Sequence, residues 1–109
     1  MTKSNPEEKK KDAVTIAPHV HKVIFENEKL RVLKVAIKPG EIAEMHWHPE
    51  NINYVLSGGK LRFTKTDGKN VETILNEGQV TSSGSGSHVV ENIGNTEVQT
   101  VQIELKEAS

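Results

Sequence analysis

Turn residues recur about every ten positions from Val14 onward, and between them no stretch carries convincing 3.6-residue periodicity. The turns are Pro39-Gly40, Gly58-Gly59, Asp67-Gly68, Glu77-Gly78 and Gly94-Asn95. They separate short runs with β-strand character: His21–Glu26, Leu30–Lys38, Ile42–His48, Ile52–Ser57, Lys60–Thr66, Val71–Leu75, Gln79–Ser83, His88–Ile93 and Glu97–Leu105. Short strands at even spacing, joined by glycine-rich turns, predict an all-β antiparallel sandwich or barrel. Asp67-Gly68, between Thr66 and Lys69, predicts a hairpin turn of the primed type, with positive φ at both central residues.

The chain has 109 residues, enough for one domain with a modest core. Val, Ile, Leu and Phe number 28 of these, about a quarter, which places the chain above the range typical of disorder. The exception is residues 1–13 (MTKSNPEEKKKDA), polar and mixed in charge, which predict a disordered tail ahead of a single domain over 14–109. Net charge is −1 with basic residues dispersed, so no electrostatic footprint for nucleic acid is present. No apolar run approaches the roughly 18 residues that span a bilayer. The charged N-terminus carries no apolar signal-peptide core, so a cytoplasmic location is the expectation. With no cysteine, disulfides, thiolate nucleophiles and cysteine-ligated zinc are excluded.

The residues that carry chemistry are histidines. His46 and His48 flank Trp47 at the end of a strand-like run, so both imidazoles project from one face and the indole from the other. Two imidazoles at i and i+2 can share a metal ion. His88 follows some forty residues later, after the low-complexity stretch Thr81-Ser82-Ser83-Gly84-Ser85-Gly86-Ser87, which reads as a mobile loop carrying it into the site. His19 and His21 form a second i, i+2 pair, but Pro18 precedes them and they adjoin the tail. They read as exposed side chains of an edge strand. Asn53, Val55, Val90 and Asn92 share the parity of the histidines. The first three are candidates to line a substrate pocket; Asn92 is expected to satisfy backbone groups at a strand end. Trp47 is expected in the core or on a subunit contact.

Two blocks resemble the cupin motifs. Gly40, five residues, His46-Trp47-His48 and then Tyr54-Val55-Leu56-Ser57-Gly58 is similar to the first; Gly78, a loop, Gly86-Ser87-His88, Asn92 and Gly94 is similar to the second. The resemblance covers roughly Val32 to Leu105. It implies a double-stranded β-helix (jelly-roll) barrel with a divalent metal ion (Fe, Mn, Zn or Ni) held on His46, His48 and His88. The motif's glutamate position falls on Asn51, a poorer neutral ligand, and the adjacent Glu50 is the alternative fourth ligand. The proline usual before His88 is replaced by Gly84-Ser85. There is also a loose similarity to short bacterial cupins of amine and β-alanine breakdown.

Fold does not fix function. The leading expectation is a metal-dependent enzyme on a small polar metabolite. With Fe(II) it would act as a dioxygenase; with another ion it would use Lewis-acid chemistry, as a lyase or isomerase. The alternatives are a non-catalytic module that binds or senses a small ligand, with or without metal, and a metal-free structural barrel. No catalytic residue is assigned. A homodimer is expected, covering sheet edges and an outward apolar patch around Trp47.

Overall fold

The computed structural model describes residues 6–107. Two four-residue helical turns, α1 (Pro6–Lys9) and α2 (Ala13–Ile16), precede nine strands. These are β1 (His21–Glu26), β2 (Leu30–Ile37), β3 (Ile42–His48), β4 (Asn51–Ser57), β5 (Gly59–Lys65), β6 (Asn70–Leu75), β7 (Val80–Ser83), β8 (Gly86–Asn92) and β9 (Val98–Leu105). They form a five-stranded sheet of order β1-β2-β9-β4-β7 and a four-stranded sheet of order β3-β8-β5-β6, both antiparallel throughout. This is the expected all-β jelly roll. None of the described helices is long and apolar enough to cross a membrane.

The core between the sheets gathers Ala17, Val20, Ile37, Ala43, Val55, Leu61, Leu75 and Val98. Val55 belongs to it, fully buried, and does not line the cavity described below, contrary to the expectation for that residue. At the other end of the five-stranded sheet the usual alternation is inverted. Strand β9 turns Val98, Thr100, Gln102 and Glu104 inward and all four are buried, while Val101, Ile103 and Leu105 face out. On β4, Asn51 is buried, whereas Ile52, Tyr54 and Leu56 are exposed. Polar groups therefore sit inside this end of the barrel and apolar ones outside it.

Three local features differ from the sequence reading. Residues 6–13 are not a free tail; the remainder of that segment lies outside the described residues. Trp47 N–H donates to Lys11 O at 2.7 Å, Asp12 pairs with Trp47 as an isolated bridge, and Ala13 is fully buried. The segment thus covers the open edge of β3, and with it Trp47, which is only 6% exposed. The apolar patch expected around Trp47 is therefore covered from within the chain. Second, the stretch Thr81–Ser87 is mostly strand: β7 ends at Ser83 and β8 begins at Gly86. His88 is held in a ladder, opposite His46 on one side and Lys65 on the other, and not on a mobile loop. Third, only Gly68 of the Asp67-Gly68 pair has positive φ, at 86°. Gly68 N–H donates to Lys65 O, which makes a turn closed by a left-handed glycine in place of a primed turn.

Candidate metal centre

A bulge in β3 sets up the site. Ala43 pairs with Val90 and His46 with His88, so three steps on β3 match two on β8. The extra residue lets Ala43, His46 and His48 all turn inward, where strict alternation would have sent the histidines out. His88 enters from β8 beside His46. The fourth histidine arrives from β1: His21 pairs with Val35 and is 4% exposed. His21 is therefore not an exposed edge residue. Its neighbour His19 is exposed and bonds Ile42 O at 3.2 Å.

The four rings pack together. His21 lies 4.9 Å from His46 and 5.2 Å from His48, centroid to centroid; His46 and His48 are 4.8 Å apart. His88 stands 4.9 Å from His46, 5.5 Å from His48 and 5.3 Å from Phe63. One ring nitrogen from each of His21, His46 and His48 falls within 4.8 Å of the others.

Hydrogen bonds fix which nitrogens these are. His21 Nδ1 contacts Ala17 O at 3.1 Å, His46 Nδ1 contacts Glu44 O at 2.6 Å, and His48 Nδ1 contacts the Glu104 carboxylate at 2.5 Å. A carbonyl or carboxylate oxygen only accepts, so each Nδ1 carries the proton and each Nε2 keeps a lone pair. His46 Nε2 is buried with no partner among the described residues. An acceptor left unpaired in a closed site costs free energy unless something electropositive meets it. Burial holds all four imidazoles neutral. Desolvation, then the neighbouring histidines, pushes His21, His48 and His88 down to about 3, and desolvation lowers His46 as well. Neutral imidazoles with Nδ1 tied back and Nε2 converging are the form in which histidine binds a metal. The donor set fits a divalent ion.

Behind His48 lies a second cluster that the sequence reading missed. Glu104, 2% exposed, accepts from His48 on one oxygen and from Arg31 Nε at 2.8 Å on the other. Arg31 also donates to both oxygens of Asp12, at 2.8 and 3.2 Å. Burial pushes the Glu104 carboxyl up while Arg31 pulls it back. Nothing in the linear sequence singles out Glu104 beyond its inward parity with Gln102 and Thr100.

The histidines line a cavity of about 640 Å³ in the barrel. Its walls include Val35, Ile37, Leu61, Phe63 and Val90, with Asn53, Thr100 and Gln102 supplying polar groups. Asn53 and Val90 are thus among the residues that line it. Asn51 also reaches the cavity, yet its amide is spent: Oδ1 accepts from Asn53 at 3.0 Å and Gln102 at 3.1 Å, and Nδ2 donates to Pro49 O at 2.9 Å. With both lone pairs committed it has none for an ion. Glu50 does not line the cavity, and its backbone carbonyl accepts from Leu105 N. The histidine set gains His21, which the expectation of Asn51 or Glu50 beside His46 and His48 did not include. Among the described residues the one carboxylate lining the cavity is Glu8 of α1. Asn92 does as expected: its amide bonds Ile37 O and Thr96 O, both at 2.8 Å, and accepts from Gly94 N–H.

Comparison with solved structures places this architecture. A cupin domain from Bordetella pertussis Tohama I superposes with a TM-score of 0.74 at 27% identity, covering 81% of this chain and 93% of that one. The chain has the cupin fold. A predicted oxalate decarboxylase from Thermotoga maritima matches this chain at 27% identity and a TM-score of 0.57 over 79% of each chain. An RmlC-like cupin with a double-stranded β-helix fold from Methanocaldococcus jannaschii gives a TM-score of 0.64 at 14% identity, covering 79% and 78%. No family model matches the sequence, and no curated protein sequence matches it.

Proposed function

We propose that this cupin holds one divalent ion on His46, His48 and His88, with His21 as the fourth ligand, and acts on a small metabolite bound in the barrel. The observation that carries the reading is the shared tautomer. Three buried rings each tie Nδ1–H to an oxygen and aim Nε2 into one cavity. An ion there would supply Lewis acidity or, as Fe(II), oxygen chemistry. The chain's own residues bind and orient: Asn53, Thr100 and Gln102 offer amide and hydroxyl groups, while Phe63, Leu61 and Val90 supply apolar wall. Likeness to a protein named as a predicted oxalate decarboxylase supports a small-molecule role. The test is metal analysis of protein purified without a histidine tag, followed by calorimetric titration with Zn, Mn and Fe(II). One equivalent bound supports the reading; none at millimolar metal sinks it.

A second reading, a module that binds a ligand without turnover, is favoured by one observation. Glu8, on the segment that covers β3, and the exposed Lys65 are the only Asp, Glu, Lys or Arg side chains lining the cavity among the described residues. General acid–base machinery is therefore sparse.

We also propose that the protein is a homodimer, joined through the outer face of the five-stranded sheet. Phe25, Ile52, Tyr54, Leu56 and Val80 are 38 to 62% exposed there, beside Val32, Val101 and Ile103. Five strands about 4.8 Å apart and roughly seven residues long present about 500 Å². Two such faces together bury about 1,000 Å², the lower range of a stable interface. A monomer mass by light scattering at tens of micromolar would exclude it.

A further inference from the structure

The cavity reaches solvent at the end of the barrel where β5 and β7 stop and β8 begins, and there its lining residues Lys65, Thr66 and 83–86 are exposed. Gly84 and Gly86 on this rim have nothing within 4 Å of where a side chain would begin. Neither has positive φ, so the backbone does not call for glycine at either place. The rim therefore leaves the mouth open. Glu8 of α1 also lines the cavity and is half-buried. It arrives beside the same rim: Trp47, whose N–H donates to Lys11 O, pairs with Ser87, and His48 pairs with Gly86.

The N-terminal segment is held unevenly. From Asp12 on it is fixed: the Asp12 carboxylate accepts two bonds from Arg31 and one from Val14 N–H, and Ala13 and Ala17 are fully buried. Before Asp12, α1 has four residues and buries none of them. Its Lys10 N–H reaches Pro6 O at 3.3 Å, and Lys9, its side chain 44% exposed, pairs with Glu107 at 2.8 Å. So short a helix has no stability of its own, and an ion pair open to solvent on the lysine side adds little. Segments of this kind open locally while the rest stays folded. We propose that residues 6–10 form a lid on the mouth of the cavity, hinged at Lys11 against the anchor at Asp12, which swings Glu8 off the rim to admit a ligand. Opening leaves the Trp47–Lys11 and Asp12–Arg31 contacts intact. The lid governs access, whatever the histidines hold, so it stands apart from the metal reading.

The chain has no cysteine, so Val90→Cys places a single thiol on the cavity wall, on β8 between β3 and β5. With chelator present, its reaction is followed with two uncharged reagents, methyl methanethiosulfonate and the bulky pyrenylmaleimide. In this background Glu107→Gln weakens the tether to Lys9 and should raise the ratio of bulky to small rates about threefold, the scale of one solvent-facing ion pair. Asp12→Ala removes the anchor and should raise the ratio at least tenfold; if that variant does not fold, Glu107→Gln decides. A ratio that does not move in the folded variants overturns the lid. Equal acceleration of both reagents means a loosened barrel and overturns it too. Hydrogen exchange on the wild-type chain tests the hinge. Corrected for intrinsic rates, the Lys10 and Lys11 amides, bonded to Pro6 O and Glu8 O, should exchange at least a hundredfold faster than Trp47 N–H. Equal protection of the three would mean that the segment opens as one piece with its anchor, and the hinge at Lys11 would fall.

Discussion

Two polar clusters meet at His48, and they solve burial in opposite ways. Inside the barrel, His21, His46, His48 and His88 are held uncharged by burial, and His46 Nε2 has no partner among the described residues. Behind them Asp12, Arg31 and Glu104 are charged and pair with one another. The first avoids charge altogether; the second balances charge with charge. The Glu104–His48 contact ties them together, so the charged cluster fixes one ring of the neutral cluster while keeping its own charge out of the cavity.

Acid should separate the two most sharply. Three of the histidines titrate near 3 in the folded state against 6.5 unfolded. Between those values the unfolded chain binds more protons, so stability is present above about pH 6.5 and falls as pH drops toward 3. Each histidine contributes up to about 1.4 kcal/mol per pH unit, and three together overrun a typical stability of roughly 5–15 kcal/mol within a few units. Glu104, raised by burial, opposes this as a single group. The expected outcome is cooperative unfolding of metal-free protein well above pH 3, followed by circular dichroism. Saturating Zn should move the midpoint to lower pH, because ligation holds the rings neutral. An unmoved midpoint would separate the cluster from any ion.

The charged cluster should give the next largest effect. Arg31→Ala leaves Glu104 buried without its counterion, at a cost of about 3–5 kcal/mol in urea unfolding. Arg31→Met combined with Glu104→Gln removes both charges and should recover most of that loss. If the double variant is as unstable as the single, packing dominates at this position.

Within the neutral cluster, alanine at His21, His46, His48 or His88 should lower metal affinity at least a hundredfold and shift metal-free stability by less than about 2 kcal/mol. Calorimetric titration and chelator-treated unfolding measure the two. Retained affinity in the His88→Ala protein would reduce the set to the three histidines whose Nδ1 atoms are tied back.

The contrast between the clusters also marks what could be read in the sequence. Strand β1 and strand β3 match the expected boundaries, since alternation and turn residues are local properties. That His46 and His48 share a face was legible for the same reason; that the face is the inner one follows from the β3 bulge against β8, which is not local. His21 was not legible, because its burial depends on the turn after α2, where Ala17 O meets both its Nδ1 and its backbone N–H, and no strand periodicity announces that turn. Glu104 was hidden by inversion: on β9 the polar residues point in, so an inward carboxylate resembles a solvent-facing one. Glu104 meets Arg31 across the whole chain, and His21 meets His46 and His48 from another strand; no window of sequence contains either pairing.

The smallest effect is expected at Glu50, and it sharpens the comparison because Asn51 beside it behaves differently. Glu50 lies on the turn between β3 and β4 and contributes a backbone carbonyl to Leu105, while its side chain does not line the cavity. Glu50→Ala should therefore leave metal affinity within about twofold and stability within about 0.5 kcal/mol, as surface changes do. Asn51 is 4% exposed and holds Asn53, Gln102 and Pro49 O through one amide. Its replacement by alanine strands those groups and should cost about 1–3 kcal/mol of stability, with a smaller change in metal affinity than any histidine variant. Calorimetry and urea unfolding on the two single variants give both numbers. A tenfold loss of affinity in Glu50→Ala would mean that the turn carries its carboxylate to the ion. The cluster would then hold a charge of its own, and the division between a neutral interior and a charged exterior would fail at this one residue.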